Sequence, residues 1–339
     1  MNSVTFGLDT TARALCPLYH QQNGREDSKF LVGTDSASGE NKIAILEYDD
    51  GMKTLDCVSM WESPKPIKGL WPSPSMTKNL FASRTSDEIT IFSLGENILR
   101  EPKRELSVER GGCQALWDLE GLQNEVTIRS HDAVFRVALD AGKEGKETCN
   151  YSFKDDTVHA SALDPHHPYL CAAVCDSGMK IIDFRAKSVV GVPNTTNQHG
   201  FSSKYAIDFN PVTPNKFLTY GDDGQITYHD IRYEGSSYIV SEQSHFKAGD
   251  HQIKKALYNP FHQELIISCG SDQTLGLFEH KLQFSTLLSS VSEFGDTITD
   301  ICWSNGSPWI FAGVSHSGKV IVSSVPSEVK MRILLGESK

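Results

Sequence analysis

Apolar residues in this chain fall into short runs of β-branched, aromatic and aliphatic types, each closed by a polar turn. That pattern reads as a series of short β-strands. Residues 204–243 show it most clearly. Tyr205-Ala206-Ile207-Asp208-Phe209 predicts a first strand, Lys216-Phe217-Leu218-Thr219-Tyr220 a second, Gln225-Ile226-Thr227-Tyr228-His229 a third, and Tyr238-Ile239-Val240 a weaker fourth. No convincing amphipathic helix interrupts the series, which argues against an alternating strand–helix fold.

The series is periodic. Polar turns recur at Ser86-Asp87, His131-Asp132, Asp176-Ser177, Asp222-Asp223, Ser271-Asp272 and His316-Ser317, with successive spacings of 45, 45, 46, 49 and 45 residues. A longer turn, Thr34 to Asn41, stands one period earlier. A second marker keeps phase with the first: Pro72-Ser73-Pro74, Asp118-Leu119-Glu120, Asp164-Pro165-His166, Asn210-Pro211, Asn259-Pro260 and Ser304-Asn305. All are turn formers. Four short strands in about 45 residues are the signature of a propeller blade. The expected fold is all-β, a single seven-bladed β-propeller over residues 1–339, with blade cores near 12–61, 67–108, 114–153, 158–193, 204–243, 253–290 and 298–335. Closing the ring calls for one more strand, either Val4-Thr5-Phe6-Gly7-Leu8 or Arg332-Ile333-Leu334-Leu335, to cover the last open edge. Trp71, Trp117 and Trp303 share one phase near the end of an inner strand, which points to packing between blades.

Composition narrows the functional classes. With 39% hydrophobic and 22% charged residues the chain reads as an ordinary soluble protein. No apolar run approaches the roughly 18 residues of a membrane span. Met1 to Leu18 lacks the basic and apolar regions of a signal peptide, so a cytosolic location is expected. Cysteines stand at 16, 57, 113, 149, 171, 175, 269 and 302, form no C-x-x-C pair, and read as buried free thiols. The formal net charge of −11, with no dense Lys/Arg cluster, argues against nucleic-acid binding.

Signals for chemistry are weak. There is no G-x-S-x-G elbow and no phosphate-binding glycine loop. Ser315 and His316 are adjacent on a predicted strand end, where neighbours point to opposite faces. His166, His167, Cys171 and Cys175 are close in sequence, but the two thiols lie about 13 Å apart along a strand and cannot grip one zinc ion. No catalytic residue, cofactor or metal is expected.

The period, the turn aspartates and the residue pairs Ile182-Asp183, His229-Asp230 and Phe278-Glu279 resemble the WD40 superfamily, whose blades end in Trp-Asp. That superfamily pins its blades with a hydrogen-bonded His, Ser/Thr, Asp and Trp. Blade five comes nearest, with His199, Thr219 and Asp223, and with His229 in the Trp place. A narrower resemblance lies at the chain ends. Phe6-Gly7-Leu8, Ala12-Arg13-Ala14-Leu15 and Phe30-Leu31-Val32-Gly33-Thr34 look like the start of the WD40 proteins that bind the EARP and GARP tethering complexes. Asp208-Phe209-Asn210-Pro211, Gly221-Asp222-Asp223, Trp303-Ser304, Pro308-Trp309-Ile310-Phe311-Ala312, Val325-Pro326 and Ile333-Leu334-Leu335 are similar too. Lys281 to Gly295 is short where that family can carry a long acidic insertion. The resemblance implies a non-catalytic adaptor for those complexes in endosomal recycling, endosome-to-Golgi retrograde transport and dense-core vesicle sorting. It would be monomeric within a larger assembly, without direct membrane insertion, and held at endosomes and the trans-Golgi network through its partners.

In a propeller the turns between second and third strands share a face with the connections between blades. That face should collect Asp87, Asp132, Asp176, Asp222, Asp223, Asp250, Asp272 and Asp296, with Phe201 beside them. The opposite face should be basic. The acidic face is expected to steer a basic or helical partner segment. The competing reading is local: turn aspartates accept hydrogen bonds from nearby backbone N–H groups. Two other functional classes stay open. A WD40-fold hydrolase of the diphthine methylesterase type would need a nucleophile or acid–base set in the channel. A cullin-RING ligase substrate receptor would show an arginine after the Trp-Asp-like pair, as Asp183-Phe184-Arg185 and Asp230-Ile231-Arg232 do. A chromatin reader is the alternative kept beside that receptor reading.

Overall fold

The computed structural model describes residues 3–19, 28–37, 39–74, 79–86, 88–95, 97–109, 114–117, 124–140, 145–192, 206–233, 252–281 and 284–336, with the backbone alone of 204–205, 234 and 237–247. Among them the strands form seven four-stranded antiparallel sheets. Blade one holds β2 (Ala12–Pro17), β3 (Ser28–Thr34), β4 (Asn41–Asp49) and β5 (Thr54–Ser63). Blade two holds β6 (Gly69–Pro72), β7 (Leu80–Arg84), β8 (Ile89–Ser93) and β9 (Lys103–Val108). Blade three holds β10 (Gln114–Leu116), β11 (Glu125–Arg129), β12 (Ala133–Ala138) and β13 (Lys146–Ser152). Blade four holds β14 (Val158–Leu163), β15 (Leu170–Cys175), β16 (Gly178–Asp183) and β17 (Ser188–Gly191). Blade five holds β18 (Lys204–Phe209), β19 (Lys216–Gly221), β20 (Gln225–Glu234) and β21 (Ser237–Lys247). Blade six holds β22 (Ile253–Tyr258), β23 (Leu265–Gly270), β24 (Leu275–Lys281) and β25 (Phe284–Val291). Blade seven holds β26 (Ile298–Trp303), β27 (Ile310–Ser315), β28 (Lys319–Ser324) and, from the other end of the chain, β1 (Ser3–Gly7).

The architecture is the seven-bladed β-propeller expected from the period. Second strands lie between their sheet neighbours and the adjoining blades. β3, β23 and β27 are buried along their whole length, which is why they read as unbroken apolar runs. Outer strands such as β13 and β17 are mostly exposed and read as polar. The same cause hid most of β21: the polar Ser241-Glu242-Gln243-Ser244 continues a strand expected only at 238–240.

One apolar cluster fills each gap between neighbouring blades. Phe30 and Val32 of blade one meet Val314 and Val322 of blade seven. Ile267 and Leu277 of blade six meet Ile301 and Phe311 of blade seven. Tryptophan serves these seams as its phase suggested. The Trp117 indole N–H donates to the Trp71 carbonyl at 3.1 Å, and that of Trp303 to the Leu257 carbonyl at 3.3 Å.

The second sequence marker also works between blades. Asn210 Oδ1 accepts the backbone N–H of Val212 and Thr213 at 2.9 and 2.8 Å, while its Nδ2 donates to the Gln263 carbonyl of blade six at 3.3 Å. Asn259 repeats this one blade on, accepting from Phe261 and His262 at 2.8 and 3.0 Å and donating to the Pro308 carbonyl at 2.7 Å. Ser304 continues it with a 2.7 Å bond to Ser28 of blade one. Each of these residues is buried. A turn former here shapes its own loop and clamps the next blade.

β1 closes the ring, pairing with β28 from Ser3↔Ser323 to Gly7↔Lys319. The other candidate strand, Arg332 to Leu335, belongs instead to a helix, α1 (Ser327–Leu335), so the last sheet ends at Ser324 and not near 335. The helix packs Val329 and Ile333, one turn apart, onto the cluster between blades six and seven. Gly336, at φ 66°, ends it with the left-handed residue that helix C-termini favour.

In five blades the pairing of first and second strands carries one extra residue in the inner strand, at Arg13, His159, Tyr205, Lys254 and Thr299.

Candidate interaction faces

Backbone bonds tie the connections between blades to the turns between second and third strands. Ile67 N–H donates to the Thr34 carbonyl at 2.8 Å, Val158 N–H to His131 at 2.7 Å, and His316 N–H to Thr297 at 2.9 Å. This turn face therefore carries Asp132, Asp176, Asp222, Asp223, Asp272 and Asp296. Asp87, His199, Phe201 and Asp250 lie outside the described residues.

Each of the six carboxylates has a nearby donor. Asp132 accepts from Ser130 Oγ at 2.8 Å and Asp223 from the Gln225 N–H at 3.1 Å. Asp272 accepts from Thr274 Oγ1 at 2.6 Å, and Asp296 from the Thr297 N–H at 2.6 Å. Asp222 accepts from the Gln252 amide. Asp176 meets His159 Nε2 at 2.6 Å, and that bond holds its carboxyl below the ordinary range. Those of Asp132, Asp223, Asp272 and Asp296 are local bonds, while Asp176 reaches the first strand of its own blade and Asp222 the connection into blade six; yet Asp132, Asp222 and Asp223 remain exposed and still contribute to a field. Two acids nearby are neutralised. Asp156 holds Lys180 Nζ at 2.6 Å, and Glu88 accepts from Ser107 at 2.6 Å beside Arg104 and Lys65.

Of the blade-five set, Thr219 Oγ1 and His229 Nε2 are joined at 2.9 Å in a buried position, and the imidazole stacks on Phe217 with centroids 4.6 Å apart. His229 thus takes a tryptophan's packing place. Asp223 is exposed at the turn.

Sequence reasoning passed over the channel wall. Asp300 on β26 accepts Lys255 Nζ of β22 at 2.5 Å and the Leu15 N–H of β2 at 2.8 Å, so one carboxylate links blades six, seven and one. Asp208 on β18 accepts the Tyr258 N–H of β22 at 2.9 Å, and burial pushes its carboxyl up to about 7. The signal was present: each of these charges interrupts an apolar inner strand. Above them the mouth opens into a depression of about 590 Å³ spanning blades five, six, seven and one. Arg13, Lys254, Thr299 and His316 line it.

On the opposite face, a groove of about 600 Å³ runs between blades four and five. His166, His167 and Arg185 line it, with Tyr169 and Tyr233 exposed at 40% and 60%. The Arg185 guanidinium sits 5.9 Å from the Tyr169 ring centre. Asp183 and Arg185 of Asp183-Phe184-Arg185 and Ile231 of Asp230-Ile231-Arg232 thereby edge one groove from adjacent blades, while Phe184 turns into the seam with blade three.

Other chemistry finds little footing. Ser315 Oγ is buried and bonded to Ser317 Oγ at 2.9 Å, while His316 is exposed. Among the described residues no group of three or more His, Cys, Asp or Glu could hold a metal ion. Burial raises the Cys171, Cys175 and Cys269 thiols to about 12, whereas Cys57 is exposed, against the expectation of buried thiols throughout. Among the described residues no helix is long and apolar enough to cross a membrane.

A family model described as EIPR1 beta-propeller matches residues 1–278. The chain is 22% identical to human EARP and GARP complex-interacting protein 1, across 98% of each chain. It is 22% identical to EARP-interacting protein 1 of Caenorhabditis elegans, across 97% of this chain and 98% of that one. It is also 23% identical to WD repeat-containing protein DWA2 of Arabidopsis thaliana, across 96% and 97%. The similarity therefore runs through blades two to four as well as the ends.

Proposed function

The chain belongs to the EIPR1 β-propeller family, and from that premise we propose that it is a non-catalytic adaptor that binds the EARP and GARP tethering complexes. The supporting observation is full-length similarity to relatives named for that interaction, on a rigid disc whose turn face offers exposed carboxylates around a polar mouth. The adaptor would serve endosomal recycling and endosome-to-Golgi retrograde transport, dense-core vesicle sorting included. It would be a monomer within the larger assembly, cytoplasmic, and held at endosomes and the trans-Golgi network by its partners. Co-elution of the purified chain with each reconstituted complex on size exclusion is the test. Separate elution from both overturns the reading.

One observation favours a second reading, a cullin-RING substrate receptor: Asp183 and Arg185 of one Asp-x-Arg segment line a groove that Ile231 of the other also lines and that exposes Tyr169 and Tyr233. Arginine and tyrosine are the residue types that anchor interfaces. Reversing Arg185 and Arg232 to Glu would abolish capture of a cullin linker under this reading and leave tethering-complex binding intact under the first.

A further inference from the structure

Each blade ends on an outer strand whose far edge meets no further strand of its sheet. Every second N–H and C=O along such an edge points away from the sheet, and left bare it is a template for another chain. Native sheets blunt these edges with charge or by keeping the strand short. Six of the seven blades do so. β5 carries Asp56 and Glu62, β9 Lys103 and Glu105, β13 Lys146 and Glu147, and β21 Glu242 and Lys247. β17 has four residues and β1 five.

β25 is the exception. It runs for eight residues, Phe284–Val291, without a charge or a proline. Phe284 and Leu287 are 78% and 53% exposed. A bulge does not set this edge apart, since the register with the third strand shifts in the same way in blades one, two, three, five and six. In β25 the extra residue is Leu288, which packs on the seam with blade seven and leaves Leu287 and Ser290 on the face toward blade five. There they line a cavity of about 60 Å³ with Gly276 and Phe278. Gly276 pairs with Ser290, so beside this edge one position has no side chain and its neighbour a small one. A large side chain set opposite Ser290 by a further strand would lie over both.

We propose that the outer edge of β25 is a docking site for an extended, uncharged segment of a partner protein, which adds a fifth, antiparallel strand to blade six. In strand addition main-chain bonds supply the affinity, and pockets for alternate side chains select the sequence. The sequence selected here alternates polar with apolar residues and places one large apolar residue opposite Ser290. Charge favours such a segment, because a charged residue facing Phe284 or Leu287 finds no counter-charge on the strand. Charge also disfavours the other natural occupant, a second copy pairing through its own β25, because two chains of net charge −11 repel each other. The proposal goes beyond the adaptor reading and does not depend on which complex carries the segment.

The probe is fluorescein-labelled, C-terminally amidated Ser-Thr-Val-Thr-Leu-Thr-Val-Thr-Ser, read by fluorescence anisotropy. A twin N-methylated at its five central residues keeps the side chains and loses the strand's donors. Wild-type protein is expected to bind the probe about tenfold more tightly than this twin, and about tenfold more tightly than a twin with Gly for the central Leu. Leu287→Lys, a change at an exposed position, should weaken binding by about tenfold with the melting temperature unchanged. Hydrogen exchange gives a second readout: amides of residues 284–290 should slow when the probe is added to wild type and not when it is added to Leu287→Lys. Sedimentation velocity tests the other occupant. No binding, equal binding of the N-methylated twin, or binding untouched by Leu287→Lys overturns the proposal. So does a dimer that Leu287→Lys dissolves, which would assign the edge to a second copy. Failure to capture tethering subunits, with probe binding intact, would overturn the adaptor reading alone.

Discussion

Replacing Asn259 with Ala tests the account of how the blades are held together. The side chain is fully buried and makes three hydrogen bonds: it accepts from Phe261 and His262 within its own turn and donates to Pro308 of the next blade. At about 1 kcal/mol net each, with more lost where a buried backbone group is left unpaired, Asn259→Ala should cost about 3 kcal/mol. An unfolding entropy of about 2.1 cal/mol/K per residue over 339 residues converts that to a fall of about 4 °C in melting temperature, if the ring melts as one unit. Asn259→Ser should be milder, because the Ser304 hydroxyl fills the same place in blade seven and accepts the Gly306 N–H at 3.1 Å. Differential scanning calorimetry and urea midpoints measure both. A loss under about 0.5 kcal/mol for Asn259→Ala, within the range of ordinary surface changes, would refute the clamp. So would a serine variant that is no better than alanine.

Other expectations follow from the same geometry. Gly318→Ala should weaken ring closure, since Gly318 sits at φ +85° on the seam with β1 and an added Cβ would lie 2.2 Å from the Thr10 carbonyl; limited proteolysis at the N-terminus would report it, and unchanged resistance would contradict it. Asp208 has a carboxyl raised by burial to about 7 against about 3.9 unfolded, so its contribution is present at low pH and is lost as pH rises through about 7. Asp208→Asn should remove that decline, and melting curves that stay parallel to wild type from acid to alkaline pH would count against it. Deleting 327–339 should lower stability by uncovering the Val329 and Ile333 seam and the Arg332–Glu279 pair at 2.6 Å, while leaving the ring closed by β1. Lys reversal of Asp222, Asp223 and Asp272 together should weaken partner binding without unfolding the disc; binding at full strength would dismiss the acidic rim.

Much of the fold was legible because a propeller repeats one unit, and turn chemistry recurs wherever the backbone recurs. Asn210, Asn259 and Ser304 were visible as turn formers; that they also reach the next blade was not, since spacing along a chain says nothing about a neighbour in the ring. The helix at 327–335 was open to reading from Glu328, Lys330, Met331 and Arg332, all strong helix formers, and from Gly336. Its apolar ending, Ile333-Leu334-Leu335, looked like strand. The acidic turns were found, but the Arg13 and Lys254 side chains at the channel mouth were not. Arg13 and Lys254 reach it through bulges, and an extra residue in a strand leaves no mark on the periodicity of a single sequence.

The most direct measurement is affinity capture of the tagged chain from cytosol with quantitative mass spectrometry. The account predicts stoichiometric recovery of the subunits that EARP and GARP share. Recovery of a cullin with its linker, or of no stable partner, would contradict it.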